Sequence, residues 1–268
     1  MKRNWPLIAL LCVSAHGWSH GDLSLQLASQ EAALANAPDD VEARFLHAQT
    51  LRYHEDWAKA SAEYHEVLRR QPSYAAAYYG LGCLAVDQGQ PGEAEAPLKA
   101  FLQREPKDPK GLGLLAEVYQ KTGRRELADK AYAQANRAEP RVELYLERSQ
   151  GLSQDGRLGR ALEVLDEGMK KLGPLVVLEK EAISLERSLG RTDGALKRIQ
   201  QLMRAPGRQD GWLELKGDVL AEGQRLPAAK KAWQASLAEL AKLPEQRRLT
   251  QAAQDQKARL EVKLAGKR

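Results

Sequence analysis

The sequence has little from which to build a sheet. Long runs of valine, isoleucine and threonine, which pleated strands favour, are missing. Aromatic residues are sparse, at 6%. Only two cysteines occur, Cys12 and Cys83. No HExxH, CxxC, phosphate-cradling loop or nucleophile elbow is present, so no reaction class is suggested and the chain reads as non-enzymatic. The longest apolar run, residues 5–13 (WPLIALLCV), is too short to span a bilayer core of about 30 Å as a helix. Lys2 and Arg3 precede it and small and polar residues follow, the pattern of a secretory signal peptide over residues 1–19. Cleavage fits after Ala15, Gly17 or Ser19, with Ser19 preferred. Leu11 is too large to precede a lipid-modified Cys12. The expectation is therefore an exported chain, periplasmic or secreted and soluble once processed. It would keep only Cys83 and so have no intrachain disulfide.

What is present is alanine, leucine and charged residues with high helix propensity, and they recur at a fixed interval. Pro38, Pro72, Pro106, Pro140 and Pro174 are each 34 residues apart. Ala60, Ala94, Ala128, Ala161, Ala195 and Ala228 follow at 33 or 34. Five residues before each stands Glu55, Gly89, Gly123, Gly156, Gly190 or Gly223. A period in this range denotes a solenoid. In the first repeat the spacing predicts helix A over 41–54 and helix B over 57–71. A glycine at the turn between them ends helix A, and proline stops helix B because it lacks a donor and clashes with the preceding turn. Ala48, Gly82 and Ala116 on helix A face the early alanine of helix B, so the two backbones can approach closely. Four residues after that alanine comes a large side chain, Tyr64, Leu98, Tyr132, Leu165 or Ile199, one turn on along the same face.

Here the chain resembles the tetratricopeptide repeat family. Its small–small–proline pattern is met at Ala48/Ala60/Pro72, Gly82/Ala94/Pro106 and Ala116/Ala128/Pro140. The fourth repeat has Ser149 at the first small position. In the fifth and sixth, Ala182 and Gly217 read one residue out of register with Gly190 and Gly223. The resemblance implies an all-α, right-handed α-solenoid of about six helix-turn-helix repeats. These fall over 41–74, 75–108, 109–141, 142–175, 176–208 and 209–241, with a capping helix within 20–40 and a basic closing helix or tail over 242–268.

The resemblance also implies a concave groove lined by the A helices that binds a protein or peptide partner. Carried onto this sequence, its lining is Phe45, Gln49, Arg52 and Tyr53, then Tyr79, Cys83, Val86 and Asp87. Gly113, Glu117, Gln120 and Lys121 follow, and further on Lys180, Ser184 and Arg187. Phe45 and Gln49 occupy two positions where chaperone-binding members clamp a carboxylate terminus with lysine and asparagine, so that clamp is not reproduced. Cleavage after Ser19 would leave His20 at the terminus, where amine and imidazole together suit copper, giving a second reading as a copper-binding protein. The other two cuts also leave histidine within reach of the terminus. GLGCLA from Gly80 and GLGLLA from Gly111 mimic a dinucleotide fingerprint but fall inside helix A, where small residues serve packing. Residues 242–268 hold eight basic and three acidic residues. Export argues against nucleic acid as their partner, and they read as a solvated cap. Self-association is left open.

Overall fold

The computed structural model describes residues 20–266, with side chains from Leu25 onward. Every regular element among the described residues is a helix, and the chain divides into two compact units at Gly123. Unit 1 contains α1 (His20–Asn36), α2 (Val41–Tyr53), α3 (Trp57–Arg70), α4 (Ala75–Asp87), α5 (Pro91–Arg104) and α6 (Pro109–Lys121). Unit 2 contains α7 (Arg125–Ala138), α8 (Val142–Gln154), α9 (Leu158–Leu172), α10 (Val176–Ser188) and α11 (Thr192–Leu202). It continues through α12 (Asp210–Glu222), α13 (Leu226–Ala241), the short α14 (Glu245–Arg248) and α15 (Gln251–Leu264). Within each unit every long helix packs on the one before it, and α2, α4 and α6 in unit 1 also lie side by side. The signal segment 1–19 lies outside the described residues. His20 opens α1, and its side chain also lies outside them.

Local chemistry sets the helix ends. Asp40 and Asp108 accept from the amides of Ala43 (3.0 Å) and Gly111 (2.7 Å), capping α2 and α6, and Pro109 occupies the first turn of α6. Each A helix ends in one left-handed residue, at Glu55, Gly89, Gly123, Gly156, Gly190 and Gln224. The next amide then closes on a carbonyl five residues back, as in Asp56 N–H to Leu51 O (3.0 Å) and Arg225 N–H to Leu220 O (2.8 Å).

This turn geometry corrects the register of the last repeat. Gly223 has φ of -77° and merely caps α12, whereas Gln224 carries the positive φ of 60°. Ala229 is fully buried and Ala228 is exposed. The small-residue position is therefore Ala229, and Gly217 is in register with Gln224. The displaced residue is Ala182 in the fifth repeat, where Ile183 takes the in-register place and both are buried.

The core explains why small residues recur on helix A. A Cβ added to Gly82 would stand 2.6 Å from Leu98, and one added to Gly217 would stand 2.3 Å from the Trp233 indole. In repeats two and six the facing pairs are Gly82/Leu98 and Gly217/Trp233, so the largest side chain faces a residue with no side chain, and the equivalent residues of repeat one, Ala48 and Tyr64, are fully buried in one cluster. The Trp233 N–H is satisfied by Asp218 Oδ1 at 2.9 Å. In the fourth repeat Ser149 donates to the Ala161 carbonyl at 3.2 Å across the same interface. Gly80 and Gly111 sit inside α4 and α6, where a Cβ would stand 2.5 Å from Tyr64 and 2.4 Å from Phe101. Their spacing reflects the packing of neighbouring hairpins.

Two stability predictions follow from these geometries. Glu55→Gly and Gln224→Gly remove a left-handed strain that glycine does not carry, and each should raise unfolding stability by about 0.5–1 kcal/mol in chemical denaturation. Gly217→Ala should lose about 1–3 kcal/mol by overpacking. Adding Trp233→Tyr, which recreates the Ala48/Tyr64 pair, should recover part of that loss. If the two changes are additive in a double-mutant cycle, the facing pair is not coupled.

Candidate partner-binding surface

In unit 1 the candidate surface is the side of α2, α4 and α6 on which the expected groove residues fall. The structure does not expose all of them. Phe45 is 2% exposed, packed against Tyr64 and Tyr74 with ring centroids at 6.0 and 5.2 Å. Tyr79 is also buried and lies 5.2 Å from the Phe101 ring. Cys83 is buried on the same helix. These three serve packing between helices, which corrects the expectation that they meet a ligand and removes Phe45 and Tyr79 as aromatic anchors. Both aromatic rings pack on the B helix of their own hairpin, and Phe45 also on Tyr74 of the next. Gly113 is buried in α6, and Val86 is half-buried.

Of the rest, Arg52 is buried, at 8% exposure, and the others are accessible to differing degrees. Gln49, Tyr53, Glu117 and Gln120 are half-buried, and Asp87 and Lys121 are exposed. Arg52 organises this face. Its guanidinium pairs with Asp87 of the next A helix and lies 4.7 Å from the centre of the Tyr53 ring. Burial opposes its charge, but the neighbouring Cys83, Tyr64 and Asp87 outweigh that and hold its pKa above the ordinary arginine value. Lys121 pairs with Glu117 at 2.7 Å. The face of unit 1 is thus polar and carries both charges, with one half-buried tyrosine fixed by a cation–π contact.

In unit 2, Lys180, Ser184 and Arg187 are exposed on α10. Lys180 Nζ lies 5.5 Å from the Trp212 ring of α12, and Arg187 holds Glu222 through two hydrogen bonds, one of 2.9 Å. That bond draws the Glu222 carboxyl below its usual range. Arg52–Asp87 and Arg187–Glu222 each span 35 residues and join the same positions of successive A helices. A second pairing recurs with its signs exchanged. Arg44 of α2 meets Glu63 of α3 at 2.6 Å, and Glu179 of α10 meets Arg198 of α11 at 3.2 Å, both 19 apart.

Sequence reasoning chose Arg52, Asp87 and Arg187 singly and missed Glu222 and the pairing. The signal was available in the shared 35-residue separation. It also missed an acidic stripe on α12. Asp210, Glu214 and Asp218 recur every four residues, one helical face. Against them lies α15, which occupies the place that a further A helix would take. Glu214 accepts from Lys263 (2.9 Å) and Arg259 (3.3 Å), and Lys263 also reaches Asp218 (2.7 Å). Burial raises the Glu214 pKa, but the Lys263 and Arg259 contacts outweigh it and leave it below the ordinary value. Part of the basic end is thereby spent on the chain's own acidic helix. Among the described residues no three metal-ligating side chains converge.

Two-helix units with small–large pairing and a left-handed turn after each A helix define an α-helical repeat protein. Residues 45–109 and 85–147 match two sequence models described as tetratricopeptide repeat. Among solved structures, the C-terminal part of a TPR repeat-containing protein from Cytophaga hutchinsonii is 13% identical with a TM-score of 0.66, covering 88% of this chain and 94% of that one. YrrB, described as a TPR protein with an unusual peptide-binding site, is 17% identical with a TM-score of 0.52, covering 76% and 97%. A MamA fragment from Desulfovibrio magneticus RS-1 is 19% identical with a TM-score of 0.52, covering 56% and 85%. At these identities the structures show the fold alone. No curated protein matches. These matches and the fold support a tetratricopeptide repeat protein, with the sequence match confined to residues 45–147.

The α12–α15 contact predicts a response to acid. A carboxylate whose folded pKa is depressed contributes stability above its unfolded value, near 4.5, and loses it as pH falls through the folded one. Hydrogen exchange of the α15 amides should therefore be slow at neutral pH and lose protection early in acid. Glu214→Gln should weaken protection at neutral pH and flatten that dependence. An unchanged acid profile in the variant would exclude Glu214 as the cause.

Proposed function

We propose that the protein is a non-enzymatic, exported scaffold that holds a protein or peptide segment against the A-helix face of unit 1, in an assembly or adaptor role in the cell envelope. The observation that carries this reading is the fixed Arg52–Asp87–Tyr53 arrangement flanked by Gln49, Glu117 and Lys121 on successive A helices of one unit. Such a face suits an extended or helical segment that is itself polar and of mixed charge, with side-chain pockets giving specificity. The tetratricopeptide fold supports a binding role, as does the peptide-binding site for which YrrB is described. Export rests on Lys2, Arg3 and the apolar run 5–13. No helix among the described residues is long and apolar enough to cross a membrane.

A photo-crosslinking amino acid at Gln49, Tyr53 or Lys121, introduced in the native host, should capture a discrete polypeptide from the exported fraction. The same group at Lys99, on a B helix, should not. The Tyr53→Ala variant should weaken binding of that polypeptide by about tenfold or more if the fixed ring is a contact residue. Equal capture from position 99, or unchanged affinity in the variant, would place binding elsewhere. A chain mass from that fraction still including residues 1–19 would count against cleavage by the export machinery.

A further inference from the structure

The two ends of the described chain leave complementary surfaces uncovered. At the start, α1 packs on α2, with Leu27 against the hydrophobic cluster of the first hairpin. Its opposite side carries Leu25, 74% exposed, and the exposed Ala28, Ala32 and Ala35. The spacing of three, four and three residues makes these one apolar stripe along a helix face. Small residues along it would let another helix approach closely.

At the other end, α13, α14 and α15 enclose an open groove of about 560 Å³. Leu237, Leu240 and Ala253 line it, Leu249 stands at its edge with 64% exposure, and Arg248 and Lys257 flank it together with Glu245 and Glu261. Its apolar lining suits a single helix with small residues on the contacting face.

Charge says which helix fits. Residues 20–123 hold 10 lysines and arginines against 15 aspartates and glutamates, a net of -5. Residues 124–268 hold 29 against 21, a net of +8. The division extends to the two ends of the chain. From His20 to Ala43 there is no lysine or arginine, while Asp22, Glu31, Asp39, Asp40 and Glu42 are acidic. Residues 242–268 carry the eight basic and three acidic residues noted above, of which Arg259 and Lys263 are taken up by α12 and Lys257 pairs with Glu261. Like-charged ends repel and unlike ends attract, so contacts of start with start or end with end are disfavoured and start with end is favoured.

We propose that the protein associates head to tail with a second copy of itself, the α1 stripe of one copy seated in the α13/α14/α15 groove of the next. Such a contact is heterologous, so each added copy presents a fresh stripe or a fresh groove. It propagates to a ring or an open chain and does not stop at a two-fold dimer. Repeated scaffold units would array their A-helix faces at a regular interval, a property distinct from binding a partner on any one of them.

Sedimentation velocity of the purified full-length protein over about a hundredfold concentration range tests this. Mass should rise with concentration at low salt, and the dissociation constant should increase by about tenfold or more between about 50 and 500 mM salt. Ala32→Arg spoils the stripe and Leu249→Arg spoils the groove. Both positions are exposed, and unchanged circular dichroism and melting would show that each variant is folded. Each alone should be monomeric, and a one-to-one mixture should give a dimer and nothing larger, because one good stripe then meets one good groove. A parent protein monomeric throughout, variants that assemble as the parent does, or a mixture that stays monomeric would each overturn the proposal. So would a photo-crosslinker at position 249 that captures a different polypeptide in place of α1.

Discussion

The close approach of helices A and B within each hairpin is the constraint from which the rest of the structure follows. Two helices meet tightly only where one surrenders side-chain volume, and here that place is a single position on helix A, seven residues before the left-handed turn. Gly82 and Gly217 occupy it opposite Leu98 and Trp233, and Ala48 and Ser149 occupy it in repeats whose equivalent large residues are Tyr64 and Leu165. Packed interiors tolerate neither voids nor overlap, so the volume removed on one helix is restored on the other. Trp233 with Gly217 and Tyr64 with Ala48 are two solutions of one volume equation. The left-handed turn is equally fixed by this contact, because α3 must return along the same face of α2. Even Glu55 and Gln224 take the positive φ there, where most repeats use glycine.

Once the hairpins are fixed, successive A helices stand close enough for charges at their C-terminal ends to meet. Arg52–Asp87 and Arg187–Glu222 are this contact in repeats far apart in sequence. The exchanged pair, Arg44–Glu63 against Glu179–Arg198, shows that the geometry accepts an ion pair there and is indifferent to which helix carries which charge. Exposed ion pairs contribute little to stability, and burial of Arg148 and Arg198 exacts a desolvation cost that their carboxylates must offset. Their value lies in register, since a hairpin slipped by one residue would bury an unpaired charge.

The repeat was legible in the sequence because its signals are local. Proline at a 34-residue interval and small residues at fixed offsets need no knowledge of the three-dimensional neighbour. The sixth repeat was misread because its turn carries Gln224, and the adjacent Gly223 attracts the assignment that glycine normally earns. No composition rule ranks a glutamine above a glycine for a left-handed position. Only the burial of Ala229 and the contact of Gly217 with Trp233 decide it.

The binding face was less legible for a physical reason. A residue on the concave side of one A helix lies near the next A helix as well as near solvent, and its size decides which it meets. Phe45 and Tyr79 are large and apolar enough to be drawn into the core, Phe45 against Tyr74 of the next hairpin and Tyr79 against Phe101 of its own. Gln49 and Lys121, at comparable turns, keep solvent access. Aromatic residues marked as anchors by their chemistry are thus the ones that packing claims first. Tyr53 escapes because the guanidinium of Arg52 offers its ring a charged partner at the surface. The recognition chemistry left on this face is polar and directional, and a partner that binds it must bring its own apolar groups or its own charges. The same competition operates at the basic end of the chain. Arg259 and Lys263 look in the sequence like part of a free cationic tail, but the acidic stripe of α12 takes them up. The positive charge that remains there is what a further acidic surface would meet.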